Sequence, residues 1–103
     1  MKSRIEIPSI EIAAFCRRWQ IVEVALFGSV LRDDFRPNSD VDVLVRFHPE
    51  ARYTLLDMVP IQEELKQILG REVDLVDYAD VKQSRNYIRR KAILDFAEVI
   101  YAT

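Results

Sequence analysis

Hydrophobic and polar positions in the first third of the chain change from a helical period to a strand period. Apolar residues recur at helical spacing over residues 12–19, and Ser9 stands where a helix N-cap is expected. Residues 22–27 are apolar and β-branched, which predicts a buried strand. After this strand the sequence predicts a short helix over 29–34 and a turn over 36–39.

The middle of the chain carries a second strand, a helix and a third strand. Residues 40–47 alternate between polar and apolar types except at Leu44, as expected for a strand with one mainly buried side. Residues 54–69 follow a helical pattern, within which Pro60 should kink the helix or delay its start. Gly70 then stands at the position of a C-terminal cap, and residues 72–76 predict another strand.

The final third predicts one helix over residues 81–97 and a short edge strand over 99–101. Helices and strands are mixed without regular β-α-β alternation. We therefore predict an α+β fold in which a mixed β-sheet is backed by helices, formed as a single small domain over residues 1–103.

Composition and charge narrow the class of protein. Half of the 103 residues are apolar and 31% are charged, which is ordinary for a globular protein. The net charge of −2 does not indicate direct nucleic-acid binding, and no apolar run is long enough to span a membrane. Cys16 is the single cysteine, so no internal disulfide can form and a cytoplasmic location is expected.

Two carboxylates on the second strand are the first candidates for chemistry. Asp40 and Asp42 are separated by one residue, so both project from the face opposite Val41, Val43 and Val45. Carboxylates this close repel each other, and a cation between them removes the repulsion. Oxygen ligands without nearby His or Cys favour Mg²⁺ or Mn²⁺, which complete their coordination with water and substrate phosphates.

A glycine-serine pair and a third carboxylate extend this candidate site. Gly28 ends the first strand and allows a phosphate to approach the backbone closely, and Ser29 adds a hydroxyl donor. Asp74 on the third strand is positioned to complete a metal site or to accept a proton from an attacking hydroxyl. Asp77 and Asp80 are competing carboxylates in the turn that follows.

These motifs carry a resemblance to a known family. The sequence is similar to the DNA polymerase β-type nucleotidyltransferase superfamily, and in particular to its minimal branch, in these segments: Leu26-Phe27-Gly28-Ser29, Asp40-Val41-Asp42 after ten residues, Arg32 with Arg36-Pro37-Asn38-Ser39-Asp40, and Val73-Asp74-Leu75-Val76. The resemblance extends over most of the chain, from residue 22 to residue 101.

The resemblance implies a polymerase β-like fold and a Mg²⁺-dependent transfer of AMP from ATP. The ligands of the metal would be Asp40, Asp42 and Asp74, and the phosphates would lie at Gly28 and Ser29. Arg32 and Ser39 are further candidates for nucleotide contacts. Alternatively, Arg32 is a solvated surface residue, and Ser39 fixes the turn before the second strand.

The resemblance also implies a partner, because many members of the minimal branch are antitoxins that transfer AMP to a tyrosine of a HEPN ribonuclease toxin. The chain departs from the branch at Asp33, where a glycine is usual, so an antitoxin that acts by binding alone is an alternative. A nucleotidyltransferase with an RNA or small-molecule acceptor is another. The basic cluster of Arg85, Arg89, Arg90 and Lys91 is either a solvated face or a partner-docking or RNA-adjacent surface.

Overall fold

Four strands and four α-helices make up the structure, a computed structural model that describes residues 7–28 and 40–103. The expected helix at 29–34 and turn at 36–39 lie outside these ranges. The elements, in chain order, are α1 (Ser9–Trp19), β1 (Ile21–Phe27), β2 (Val41–Phe47), a 3₁₀ turn (Leu55–Asp57), α2 (Met58–Leu69), β3 (Val73–Asp77), α3 (Tyr78–Lys82), α4 (Tyr87–Phe96) and β4 (Glu98–Ala102).

The four strands form one mixed sheet in the order β3-β2-β1-β4. β1 is antiparallel to both of its neighbours, whereas β2 and β3 are parallel. The parallel pair requires a crossover connection, which α2 provides. The predicted α+β class, the mixed sheet and the short edge strand near the C-terminus are confirmed.

Helices cover both faces of this sheet, and the two faces differ in the size of their cores. The first core lies between the sheet and the helices α1 and α2. Its buried members are Ile12, Phe15, Cys16, Ile21, Val24, Leu26, Val41, Val43, Val45, Ile61, Leu65 and Val73. The second core lies between the opposite face and the helices α3 and α4, and its buried members are Ala25, Phe27, Leu44, Val81 and Ile93.

Polar contacts join the two helices of the first face at their exposed rim. Glu64 of α2 forms an ion pair with Arg18 and accepts a hydrogen bond from the indole Nε1 of Trp19 at 3.0 Å. The remainder of Trp19 packs against the first core, together with Tyr53. α1 and α2 are thereby held side by side over the sheet.

The predicted single helix over residues 81–97 is wrong, because the structure contains two helices in this region. Asp77 caps α3 by accepting a hydrogen bond from the backbone amide of Ala79 at 3.0 Å. Asn86 caps α4 in the same way, through the amide of Arg89 at 3.0 Å. Each cap satisfies a free amide at a helix start, so the chain begins a new helix at Tyr87 instead of continuing the first.

Other helix boundaries follow local chemistry. α1 begins at Ser9 itself, so this serine is not the predicted N-cap; that position belongs to Pro8, whose side chain makes no capping bond. Pro60 delays α2 as expected: the helix starts at Met58 and holds the proline in its first turn, where a missing amide proton costs nothing. Gly70 ends α2 with φ = 68°, confirming the predicted cap.

No helix within residues 7–28 and 40–103 is both long and apolar enough to cross a membrane.

Candidate active site

The parallel pairing of β2 and β3 brings two carboxylates together. A hydrogen bond of 2.9 Å from the amide of Val41 to the carbonyl oxygen of Glu72 ties the starts of the two strands. In the register that follows, Asp42 is the direct partner of Asp74. Paired residues on neighbouring strands point to the same face, and their Cα atoms are roughly 4.8 Å apart. Asp42 and Asp74 therefore form a side-by-side pair.

Asp40 lies two residues before Asp42, just ahead of β2, and extends this pair along the strand. Val41 and Val43 are fully buried in the first core, so the alternation of the strand turns the acidic residues to the opposite face, as predicted. Asp40 and Asp74 are exposed, and Asp42 is half-buried. The carboxylates thus line an accessible end of the second face of the sheet.

Gly28 closes one side of the site at the end of β1. Its φ of 75° lies in the left-handed region, which a residue with a side chain rarely adopts. A Cβ at this position would collide with Oδ2 of Asp42 and would lie 3.2 Å from its Cγ. The absence of a side chain at residue 28 therefore lets the carboxylate of Asp42 lie directly against the backbone where β1 ends.

Repulsion between the paired carboxylates favours the binding of a cation. Two unit charges 4 Å apart interact by about 1 kcal/mol in bulk water and by about 4 kcal/mol near a protein surface. Asp74 is exposed and Asp42 is half-buried, so the pair lies between these two limits. A cation that arrives together with a substrate would remove this repulsion.

The donor set fits a magnesium ion that is shared with a phosphate-bearing ligand. Across residues 7–28 and 40–103, no three His, Cys, Asp or Glu side chains are grouped closely enough to hold a metal ion alone. Mg²⁺ rarely has such a protein cage; it is usually bound by one or two carboxylates and completed by water and phosphate oxygens. The all-oxygen pair of Asp42 and Asp74, with Asp40 beside it, has this character.

The structure therefore assembles part of the predicted site. It brings Gly28, Asp40, Asp42 and Asp74 to one end of the sheet. The competing Asp77 is excluded, because its register partner is Val45, three residues further along β2, and its side chain caps α3. The other three candidates for nucleotide contacts lie outside the described residues: Ser29, Arg32 and Ser39.

One neighbour of the site was not identified from the sequence. The pairing of Glu98 with Leu26 places the end of α4 beside the end of β1, so Phe96 lies near the level of Gly28. Phe96 and Val99 are exposed apolar residues at this end of the molecule. The sequence signal was the apolar spacing along α4, but its position relative to the carboxylates depends on the β1–β4 register.

The candidate site is distinct from a cavity of about 530 Å³ at the opposite end of β2 and β3. Phe47 and Asp77, the last residues of these strands, line that cavity together with Tyr53 and Arg89. Leu75, the residue after Asp74 on β3, also lines the cavity, but Gly28, Asp40, Asp42 and Asp74 do not. The chemistry of the chain is therefore placed at the open, acidic end of the sheet.

Comparison with known proteins assigns the family. The family model described as a nucleotidyltransferase domain matches residues 11–98, which include every strand up to the start of β4 and all the acidic residues of the candidate site. The chain belongs to the nucleotidyltransferase domain family.

Curated relatives place the chain near the minimal members of this family. It is 38% identical over 65 residues to the protein adenylyltransferase MntA of Thermococcus cleftensis, covering 63% of this chain and 64% of that protein. It is also 38% identical over 61 residues to a candidate protein adenylyltransferase of Methanocaldococcus jannaschii, covering 59% of this chain and 63% of the relative. The matched segment thus spans slightly less than two thirds of these relatives.

Solved structures agree with this placement. A candidate minimal nucleotidyltransferase, 32% identical, superposes with a TM-score of 0.62 and covers 89% of this chain and 86% of its own. A toxin–antitoxin crystal structure with AMP-PNP gives a TM-score of 0.70 at 19% identity, covering 94% of this chain and 75% of its own. At that identity the second match supports the fold alone. The predicted resemblance to the minimal branch is confirmed.

Proposed function

We propose that this chain is a Mg²⁺-dependent protein adenylyltransferase that transfers AMP from ATP to a tyrosine hydroxyl of a HEPN-type toxin and thereby acts as its antitoxin. The observation that carries the proposal is the pairing of Asp42 with Asp74 against the bare backbone of Gly28. Support for the partner and the nucleotide comes from similar proteins: a protein adenylyltransferase MntA, a toxin–antitoxin structure with AMP-PNP, and a tri-AMPylated Shewanella oneidensis HEPN toxin in complex with its MNT antitoxin.

The open position of the carboxylates suits a macromolecular acceptor. Asp40 and Asp74 are exposed, so an incoming hydroxyl reaches them without any opening of the described part of the fold. The carboxylate of Asp42 takes the space that a side chain of residue 28 would fill, so the phosphates of ATP would lie next to this carboxylate at the end of β1. Mg²⁺ arriving with ATP would be held by Asp40, Asp42 and Asp74 and would neutralise charge on the triphosphate.

In the proposed reaction the tyrosine oxygen forms a bond to the α-phosphorus of ATP. The bond from that phosphorus to the α–β bridging oxygen breaks in line with the attack, and pyrophosphate leaves. The carboxylate of Asp74 accepts the hydroxyl proton, since it is the more exposed member of the pair and faces the incoming acceptor. Asp42, held against Gly28, keeps the phosphate-binding side of the site in position.

The test is to incubate the purified chain with ATP, Mg²⁺ and a HEPN-type toxin of the same organism, and to measure the toxin by intact-mass spectrometry. The expected result is a mass gain of one or more AMP units on a toxin tyrosine. Asp42→Asn and Asp74→Asn should each lower the transfer rate by about 100-fold or more, because each removes charge from the reacting centre.

Asp80→Asn is the matched control. Asp80 is also an exposed aspartate, but it lies on α3 and outside the candidate site, so the same change in charge should leave the rate within about twofold. Absence of any mass gain with the unmodified chain would contradict AMP transfer. If Asp40→Asn and Asp42→Asn together still allow toxin neutralisation, the chain is a binding antitoxin. Labelling of RNA or of small hydroxyl compounds instead of the toxin would identify a different acceptor.

A further inference from the structure

Two groups of large apolar side chains are exposed near opposite ends of the sheet. One group, Leu55, Leu56 and Val59, lies where α2 begins, beyond the end of β2 that is distant from the carboxylates. The other extends along α4 into β4. We call this second group the α4 stripe, and its members are Ile88, Ala92, Phe96 and Val99.

The α4 stripe is a continuous surface. Ile88, Ala92 and Phe96 are spaced by four residues, so they lie one above another on one side of the helix. Ile93 projects from a different side and is buried in the second core. Ile88 is 81% exposed and Phe96 is 75% exposed. The stripe thus covers roughly 12 Å of helix, the length of about two turns of a partner helix.

The register of β4 brings one end of the stripe to the acidic site. Val99 is paired with Ala25, and Glu98 is paired with Leu26, two residues before Gly28. Since β4 is antiparallel to β1, the residues that precede Glu98 continue towards the end of β1. Phe96 therefore lies near the level of Gly28 along the sheet, and a molecule bound to the stripe reaches the carboxylates.

The half of the stripe around Ile88 is bordered by basic residues although the chain is acidic overall, whereas Asp95 and Glu98 lie beside the half that contains Phe96 and Val99. Residues 82–94 contain no Asp or Glu, and their basic members are Lys82, Arg85, Arg89, Arg90 and Lys91. Lys91 is paired with Asp95 at 2.8 Å, and Arg90 lies over the ring of Tyr87. Arg85 and Arg89 are exposed, and among residues 7–28 and 40–103 neither forms an ion pair. Their charge is available to an acidic partner.

We propose that the α4 stripe docks the acceptor protein through an amphipathic helix whose apolar side is bordered by acidic residues. The apolar side would pack on Ile88 and Phe96, and the acidic border would lie against Arg85 and Arg89. This inference rests on the proposed adenylyl transfer, because its consequence is to hold the acceptor at the end of the sheet where Gly28 and Asp42 lie.

A partner protein fits this surface better than two other occupants. A second copy of the chain would bring one basic border against another, which opposes self-association through the stripe. A nucleic acid would use the arginines but would leave the aliphatic side chains of Ile88 and Val99 without a matching surface, since nucleic acids stack on aromatic rings and pair with cations.

The experiment measures binding and catalysis separately, with a HEPN-type toxin of the same organism as the probe. Ile88→Glu combined with Ala92→Glu, both away from the carboxylates, should raise the dissociation constant of the complex, measured by calorimetry, by at least about 30-fold. The KM for the toxin should rise by a similar factor. The kcat at saturating toxin and the affinity for a fluorescent ATP analogue should not change.

Charge reversal tests the acidic border. The affinity of the unmodified chain should fall with increasing salt, and Arg85→Glu with Arg89→Glu should weaken binding and reduce that salt dependence. The matched control is Ile10→Glu, which places a negative charge on an isoleucine as exposed as Ile88 but on α1, over the other face of the sheet. This control should bind as the unmodified chain does. Circular dichroism verifies that every variant is folded.

The docking surface is wrong if the stripe variants bind the toxin normally, or if the control variant loses binding instead. It is also wrong if the chain sediments as a dimer that Phe96→Glu dissociates. A further contradictory outcome is that Arg85 and Arg89 are needed to bind an RNA oligonucleotide but not to bind the toxin. Failure of the proposed function is distinguishable from these results. If the complex forms and is weakened by the stripe variants but no AMP is transferred, the docking surface holds and the transferase activity is wrong. If the stripe variants transfer AMP with an unchanged KM for the toxin, the transferase activity holds and the docking surface is wrong.

Discussion

The two faces of the sheet have different roles, because one provides most of the buried core and the other carries the candidate active site. Among the described residues, the face under α1 and α2 has twelve buried core residues, and the strand residues that line it are almost entirely apolar. The face under α3 and α4 has five within the same part of the chain, and Asp42 and Asp74 lie at one end of it. A single strand, β2, supplies both faces: Val41, Val43 and Val45 face the larger core, and Asp42 faces the open site.

This division has an energetic reason. A buried aliphatic side chain stabilises the fold by roughly 1.5–3 kcal/mol relative to the exposed state, so three valines of β2 anchor the strand from one side. The strand can then hold an acidic side chain on the other side without packing of its own. The larger core fixes the position of the site, and the smaller core leaves it accessible.

The largest predicted difference between the faces is in stability. Ile61 of α2 is fully buried in the larger core, and Ile93 of α4 is 5% exposed in the smaller one. Replacement of Ile61 by Ala should lower the free energy of unfolding by about 4 kcal/mol, and the same change at Ile93 by about 2 kcal/mol, because a smaller cluster relaxes more readily around a cavity. Urea denaturation of the two variants measures both values.

Equal losses of unfolding free energy in the Ile61 and Ile93 variants would contradict this difference between the two faces. A larger cost at Ile93 would mean that the helices of the second face carry the fold.

The next largest effect distinguishes the site from an equivalent turn elsewhere. Gly28 and Gly70 have nearly the same backbone conformation, with φ of 75° and 68°. A Cβ at residue 28 would strike the carboxylate of Asp42, whereas a Cβ at residue 70 meets nothing within 4 Å. Gly28→Ala should therefore lower AMP transfer by about 100-fold, the size of effect expected from a displaced reacting group.

Gly70→Ala is the matched control, since it shares the conformational cost of about 1 kcal/mol and lacks the collision. It should lose a little stability and keep its activity. Rates of AMP transfer are compared with urea midpoints for both variants. Equal activity in the two variants would show that Gly28 serves the backbone turn alone.

The smallest predicted effect is on the pH dependence of stability, and it tests whether water is excluded from the larger core. Burial raises the pKa of Cys16 from its ordinary value of 9.0 to about 12, although the nearby charge of Arg17 acts in the opposite direction. The unfolded thiol ionises near pH 9 while the folded thiol stays neutral, so the contribution of this group to stability is complete below pH 9 and declines as the pH rises towards 12.

Cys16→Ala removes this contribution and so isolates it from the other groups that titrate at alkaline pH. The unmodified chain should lose more stability between pH 8.5 and pH 10.5 (roughly the window set by the shift) than the alanine variant does. Parallel curves for the two chains would mean that solvent reaches Cys16 in the folded state.

The parts of the fold set by local chemistry were predictable from the sequence. The alternation over residues 40–47 predicted which side of β2 faces the larger core and which side carries the acidic residues, although Leu44 on the acidic side is also buried, in the smaller core. Gly70 and Pro60 predicted a cap and a delayed helix start for the same reason: their backbone limits act within a few residues.

The parts set by distant contacts were not predictable. The sequence nominated Asp74 and left Asp77 and Asp80 as competitors, and only the register of β3 on β2 selects the residue that faces Asp42. The division of the last helix was missed because the capping bond of Asn86 outweighs an otherwise continuous helical pattern. The position of Phe96 beside the site depends on β4, which pairs with a strand far away in the chain.

The parallel pairing of β2 with β3 also has a consequence for folding. Asp42 and Asp74 are 32 positions apart, and their strands meet only after α2 has crossed over the sheet. Contacts of such long range form slowly, because the chain loses entropy in closing the loop before any contact compensates for it. We expect the carboxylate pair to be among the last parts of the molecule to form in time, so intermediates that contain only the β1–β2 hairpin would be catalytically silent.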